Sequence, residues 1–502
     1  MQSPLAVLAF AAVALAPTIA ESRTFTVGPS GREYTQLSTV FAANNLAPGD
    51  IVEVDGSATY GSVVVGDDDG GTPGNPVIIR WQRANGATRP LIQGGTHSIK
   101  FEQSNHVVLE GFEVRGGTST CVFSEAHDVT VRDAVIHACP GHGILAADLN
   151  SGSFTLEYSE IYDAGAGSTR HPIYMQSDEI AYPGSVFRMR FNYVHNGNGG
   201  NLLKNRHERA EIHSNWFEGS VYQEIELIGP DCETQAGGWT RATKREDAEL
   251  VNNVIVHTST TWPNAIRIGG DLNGASDGRV RMVGNTIVFD RPGAATAVYV
   301  QLGAGSVEMH NNAIHQTGGA APAILRENTT ADAPVCAPFV TQPWSGARSV
   351  AGTRNWVQSA ATFVPPEWAG TVVGSDPGFR DVVARNFRPL ATSPLRNAGI
   401  NRPPSPAAFP MPWPLPAPQY DPPLRAKLAI GDQRARIPQG YFTVDIGALE
   451  EFDIDSLTGP FELSGSAPRV RPRTLAKPVA PAAAVPRACA TARCRSLGGS
   501  RR

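Results

Sequence analysis

Eight short stretches decide the fold: VVLEGFEV (107–114), VTVRDAVI (129–136), FTLEYSEI (154–161), FRMRFNYV (187–194), AEIHSNWF (210–217), AELVNNVI (248–255), VRMVGNTI (280–287) and VEMHNNAI (307–314). Each reads as a short apolar strand, a polar turn and a second short strand. Aligned, they put Gly111, Asp133, Ser159, Asn192, Asn215, Asn253, Asn285 and Asn312 in one column, at steps from 22 to 38 residues. A minimum near 22 with variable excess is what stacked coils with loop insertions produce. Stacked asparagines can hydrogen-bond from one coil to the next, which suits a turn repeated at strand spacing.

A second set of strands precedes these rows: GILAAD (143–148), PIYMQS (172–177), NLLKNR (201–206), EIELIG (224–229), AIRIGG (265–270) and AVYVQL (297–302). They are rich in β-branched residues. Together the two sets predict an all-β chain, a single-stranded right-handed parallel β-helix. Tyr34 to Leu46 has apolar residues at Leu37, Val40 and Phe41, a helical spacing that would cap the open N-terminal end. The rungs become irregular after about residue 325. Residues 402–424 carry ten prolines and read as a stiff connector. YFTVDIGALEEF (441–452) reads as a strand packing back on the coil.

Composition agrees. Hydrophobic residues make up 41% of the 502, enough for a large core, and charged residues only 18%. With 51 glycines and 39 prolines, coiled-coil and long-helix architectures are disfavoured. Leu5 to Ala16 is an apolar run too short to span a bilayer and is followed by small residues, so residues 1–20 read as a secretory signal peptide. The expectation is an exported chain without a membrane span, acting as a monomer. Six cysteines permit disulfides there; Cys121 with Cys139 and Cys489 with Cys494 lie closest in sequence, and connectivity stays open. No C-x-x-C spacing points to zinc. Residues 458–502 hold nine basic residues and one acid, so this tail is +8 and the remainder of a −5 chain is −13. The tail reads as disordered, and a basic tail on an acidic body is not a nucleic-acid-binding domain. The expected organisation is therefore 1–20 signal peptide, 21–400 β-helix, 401–457 connector and returning strand, 458–502 tail.

NPVIIRW (75–81), the asparagine rows, DPGFRD (376–381), SPLRNAG (393–399) and DIGALE (445–450) resemble secreted bacterial right-handed β-helix proteins of the pectate-lyase-like superfamily. The resemblance covers about residues 24–452. It implies a polysaccharide as partner, but the superfamily includes lyases, hydrolases, epimerases and inactive adhesins.

Candidate chemistry sits on outward columns of adjacent rungs. His171 and Tyr174 lie on one rung, Lys204, Arg206 and His207 on the next, Tyr222, Glu224 and Glu226 on a third. Tyr174, Leu203, Glu226, Arg267 and Tyr299 align as an outward column. Strand parity would turn Lys204 inward if Leu202 points inward, unless a bulge or strand end intervenes. Lys204 is one of five lysines against 37 arginines, and an amine, unlike guanidinium, can lose its proton. β-Elimination on a uronate needs a base, a cation for the carboxylate and an acid for the leaving oxygen. Lys204 or His171 is the expected base, Arg206 the clamp, Tyr174 the acid. Arg267, Tyr222, His207 and Tyr299 are expected to contact sugar. NLLKNRHERAEIHSNWF is similar to the lysine-bearing rung of chondroitinase B and β-helix alginate lyases, although Glu226 stands where those enzymes have arginine. Other readings stay open: a structural Lys204–glutamate ion pair, a glycoside hydrolase using Glu224 and Glu226, and a non-catalytic carbohydrate-binding scaffold. Gly141-His142-Gly143 resembles a polygalacturonase motif without its preceding aspartates and reads as a turn. The Asp67–Asp69 loop reads as solvated. Calcium is implied for many such lyases by the resemblance alone, and the cofactor is unassigned.

Overall fold

The computed structural model describes residues 22–229, 246–269, 277–330, 342–436 and 444–451. Residues 1–20, expected to be a signal peptide, the basic tail and four of the six cysteines lie outside them. The described chain winds into a coil of three long parallel sheets of 13, 10 and 12 strands. Successive strands pass from the ten-stranded to the thirteen-stranded to the twelve-stranded sheet, so each turn of chain adds one strand to each. Such parallel crossovers are right-handed. The helix Leu37–Ala43 buries Leu37, Val40 and Phe41. It caps the coil as its spacing predicted.

Alternation drives the coil. Leu109, Val131, Leu156, Met189, Ile212, Leu250, Met282 and Met309 stack in register on the inner face and are fully enclosed. Each such side chain contributes roughly 1.5–3 kcal/mol on leaving water. Cys121 and Cys139 form a disulfide.

The turn after each of these strands carries the ladder. Asn192, Asn215, Asn253, Asn285, Asn312 and Asn355 are buried on successive rungs. Each amide nitrogen from Asn192 to Asn312 donates to the next asparagine's Oδ1, at 2.9–3.1 Å. Each also donates to a carbonyl of the preceding rung, as Asn253 does to Ile212 at 2.8 Å. Ser159 extends the row by accepting from the Ala134 amide.

Two assignments shift by one residue. Strand register pairs Val107 with Val129 and Val129 with Phe154, which places Gly111 and Asp133 level with Tyr158. These three occupy the left-handed turn position before the ladder, at φ of 89°, 52° and 50°. Phe112 and Ala134 therefore belong to the ladder column. Asp133 serves instead as an anion for three cations, since Arg83, Arg89 and Lys427 surround its carboxylate. Burial works to raise its pKa, and those three partners outweigh it, holding Asp133 down at about 2.

The coil's last strand is Val372–Gly374. A hairpin of Phe379–Asp381 and Asn386–Pro389 follows. Residues 444–451 are irregular bends rather than the expected strand, yet Ile446, Ala448 and Leu449 are enclosed. SPLRNAG and DIGALE meet there: the Ile446 amide donates to Leu395 and the Asn397 amide to Asp445.

Candidate functional site

The outward column of the ten-stranded sheet reads Leu145, Tyr174, Lys204, Glu226, Arg267 and Tyr299 in strict register. Lys204, not Leu203, occupies it. Leu203 aligns with Ile173 and Ile225 on the inner face and is fully enclosed. Leu202 lies in the preceding turn, so the parity conflict dissolves without a bulge.

Over this column opens a cleft of about 520 Å³. His171, Tyr174, Lys204, Arg206, Tyr222, Glu226 and Arg267 all line it, joined by Ser168, Thr169, Asn201, Gln223 and Trp262. Seven of the ten residues singled out from sequence thus meet in one place. The Lys204 ammonium stands 5.1 Å from the centre of the Tyr174 ring. This is cation–π distance. Arg206 reaches the same tyrosine, with Nε donating to its Oη at 2.9 Å, while Nη1 donates to the Gly229 carbonyl. Tyrosine therefore sits between two cations with its hydroxyl oriented by one of them.

Glu226 is buried and doubly held. Arg267 Nε donates to its Oε1 at 2.7 Å, and the Asn201 amide donates to its Oε2. Its ion pair is therefore made with Arg267. Three cations against one carboxylate leave the described lining at +2. Lys204, Arg206 and Arg267 are thus the cations that this lining presents to an anionic polymer.

Histidines close one end. His171 Nδ1 accepts from the Asn201 backbone amide at 2.9 Å, which leaves the ring proton on Nε2. His142 Nδ1 in turn accepts from the His171 amide at 3.1 Å, and its ring lies 5.8 Å from those of His171 and Tyr174. Burial, then the charges of Arg170 and Lys204, push His142 down to about 4, so it is neutral at pH 7. The turn reading of Gly141-His142-Gly143 thus passed over a ring that packs beside His171 and Tyr174, outside the cleft lining. The signal was present in the chain: His142 and His171 stand at the start of consecutive rungs of one sheet.

Three expected residues fall elsewhere. Glu224 precedes its strand and is enclosed, accepting from Ser220 and pairing with His257 at 2.5 Å. His257 Nε2 also meets the Trp262 carbonyl at 2.7 Å. Burial works to lower the pKa of His257, but Glu224 and the two hydrogen bonds outweigh it and raise it. That buried pair supports the loop bearing Trp262. Held by His257, Glu224 does not face Glu226 across a substrate, and the two-carboxylate hydrolase reading loses its geometry. His207 is also enclosed, bonded to the Gly152 carbonyl at 3.0 Å and pushed down to about 4 chiefly by burial. Tyr299 sits one rung beyond Arg267, outside the cleft lining. Conversely, Trp262 was missed. Its ring lies 5.0 Å from that of Tyr222, and both precede the same strand position on consecutive rungs. Paired rings of this kind form a platform for a sugar face.

Among the described residues no group of three or more His, Cys, Asp or Glu could hold a metal ion. Asp69 is spent on its own turn, accepting from the amides of Leu46 and Gly66. These residues do not fit a calcium site.

No family model matches the chain, and no curated protein matches it in sequence. The fold is similar to the crystal structure of pectate lyase Pel9A, with a TM-score of 0.52 at 13% identity, covering 87% of this chain and 98% of that one. An alginate lyase from Paenibacillus sp. str. FPU-7 superposes more loosely, with a TM-score of 0.39 at 15% identity over 70% of this chain and 98% of that one. At such identity the likeness is one of fold.

Proposed function

We propose that this protein is an exported polysaccharide-active enzyme, a lyase that cleaves a uronate-containing polymer by β-elimination. The observation that carries this reading is the cleft in which Lys204 and Arg206 bracket Tyr174.

In this reading the uronate lies along the column with its carboxylate facing Arg206 and Arg267. Their positive field lowers the energy of the carbanion that forms when the C5 proton leaves. Lys204, in its uncharged form, takes that proton; the electron pair forms the C4–C5 double bond and expels the glycosidic oxygen. Tyr174 donates its hydroxyl proton to that oxygen, and exchange with water then returns a proton to the Tyr174 oxygen and takes one from Lys204, restoring both groups. An arginine at this position could not act so, because guanidinium keeps its proton. His171, with its proton on Nε2, orients the substrate by hydrogen bonding. Tyr222 and Trp262 hold an adjacent sugar. Export is supported by the N-terminal pattern of residues 1–20 and by the Cys121–Cys139 bond. No helix among the described residues is long and apolar enough to cross a membrane.

The test is incubation with alginate, pectate, glucuronan and glycosaminoglycans while following ultraviolet absorbance of an unsaturated product. Unsaturated ends from one of them support the lyase. Reducing ends without unsaturation favour a hydrolase, and retention of a glycan with neither product favours a binding scaffold.

A further inference from the structure

A second cavity, of about 850 Å³, lies on the thirteen-stranded sheet. That is within the range of small-molecule sites, roughly 300–1,000 Å³. Its floor is two neighbouring strands, Arg279–Val283 and Ser306–His310, which set Arg281 beside Glu308 and Val283 beside His310. Its roof is Pro403 and the proline-rich stretch from Met411 to Pro418, including Trp413. Proline has no N–H to offer a sheet, so this segment stands off the strands rather than joining them. It is pinned at intervals. Asn311 exchanges hydrogen bonds with Ile400 at 2.8 and 2.9 Å, Arg281 donates to the Trp413 carbonyl at 3.0 Å, and Asn252 donates to Gln419 at 3.1 Å. Trp413 Nε1 donates to Glu249 at 3.2 Å.

Several enclosed polar atoms bordering this space have no hydrogen-bond partner: both ring nitrogens of His310, Oε2 of Glu308, and Nε of Arg281 and of Arg436. All four residues are more than nine-tenths buried, at 0%, 3%, 6% and 8% exposure. Glu308 stands 3.6 Å from His310 Nε2 and 3.8 Å from Arg281 Nε, beyond hydrogen-bond reach of either. Leaving such groups unsatisfied is costly, and a site where several converge is built for something that bonds them.

The charges say what. Arg281 is already paired with Glu249, and Arg436 with Glu450. The lining's third cation, the exposed Arg402, is matched in number by Glu308, so no surplus positive charge remains for an anion. What is left is a balanced set: guanidinium N–H donors, a carboxylate acceptor and an imidazole that does both. Hydroxyl groups, each donor and acceptor at once, match that set. The prolines, Met411 and Trp413 supply an apolar wall for the C–H face of a ring. We propose that this cavity binds a neutral saccharide unit, independently of the cleft and of the reaction assigned to it.

The experiment is calorimetric titration of the full-length protein with neutral tetrasaccharides of glucose, mannose and xylose, with hydrogen exchange on the bound form. At least one should bind wild type and Lys204→Ala alike. Glu308→Gln and His310→Ala should each weaken it about tenfold. Peptides covering 403–418 should gain protection and those covering 203–206 should not. Absence of binding by all three, binding indifferent to both substitutions, or protection confined to 203–206 would overturn the proposal. Should a variant fold poorly, the protection map of the wild-type protein decides alone.

Discussion

The rungs that carry Asn192, Asn215, Asn253, Asn285 and Asn312 also carry, across the coil, Tyr174, Lys204, Glu226, Arg267 and Tyr299. One row repeats its residue at every step and the other changes it at every step. In the repeated row every donor finds an acceptor one rung on, so the ladder is self-sufficient and closed to ligand. The varied row pairs Glu226 internally but turns Lys204 and Tyr174, with Arg206 from the same strand as Lys204, toward a 520 Å³ space. In a solenoid, repetition marks what the fold needs from each coil, and departure from repetition marks what a single place on it is for.

The largest effect should come from breaking the varied row. Lys204→Ala is expected to lower kcat/KM by about 10²–10⁴-fold, the usual contribution of a positioned base, with the melting temperature little changed. Full activity in this variant would remove Lys204 from the mechanism. Breaking the repeated row should do the reverse. Asn253→Ala deletes donors to Ile212 and Asn285 and strips the acceptor used by Asn215. A loss of about 3 kcal/mol is expected from denaturant titration, with activity per folded molecule retained.

A smaller effect separates the two rows by pH. His142, His207 and His213 are each pushed down to about 4, in every case first by burial. Between the ordinary histidine pKa of about 6.5 and that value, the unfolded chain binds protons that the folded one refuses. Stability should therefore fall as pH drops through this window, by up to about 1.4 kcal/mol per unit for each histidine. Asp133, a carboxylate with its pKa lowered, acts over a different range: its contribution is complete above about 4 and is lost only as pH falls toward 2. Urea midpoints at about pH 7, 5.5 and 4.5 check the slope, and His207→Gln should flatten it. The smallest effect is expected at the platform. Trp262→Ala should raise KM about fivefold to tenfold with kcat nearly unchanged, since stacking is worth roughly 0.5–1.5 kcal/mol.

Much of the site was legible in the chain itself, because chemistry-bearing residues stand out where strands are otherwise apolar. Lysine among arginines marked Lys204, while rung alignment grouped Tyr174, Glu226 and Arg267 correctly but set Leu203 beside them in place of Lys204. Glu224 and His207 misled because strand ends are not visible in sequence. Each sits just outside a strand, where alternation no longer predicts facing, and each is bound to a group far along the chain: His257, 33 residues away, and Gly152, 55 residues away.

For the coil, sequence alone suffices. Alternating apolar positions and an asparagine recurring at one turn state a local rule, and local rules are written residue by residue. Whether Leu203 or Lys204 faces out was settled only once the rungs were stacked. Side-chain direction has a period of two, so a one-residue slip reverses it. Register is set by hydrogen bonds between rungs that loops of unequal length hold apart. The same is true of the cavity beneath the prolines, where Trp413 meets Arg281, 132 residues earlier, and Gln419 meets Asn252, 167 residues earlier. Nothing in either stretch alone announces that His310 and Glu308 face a space rather than a partner.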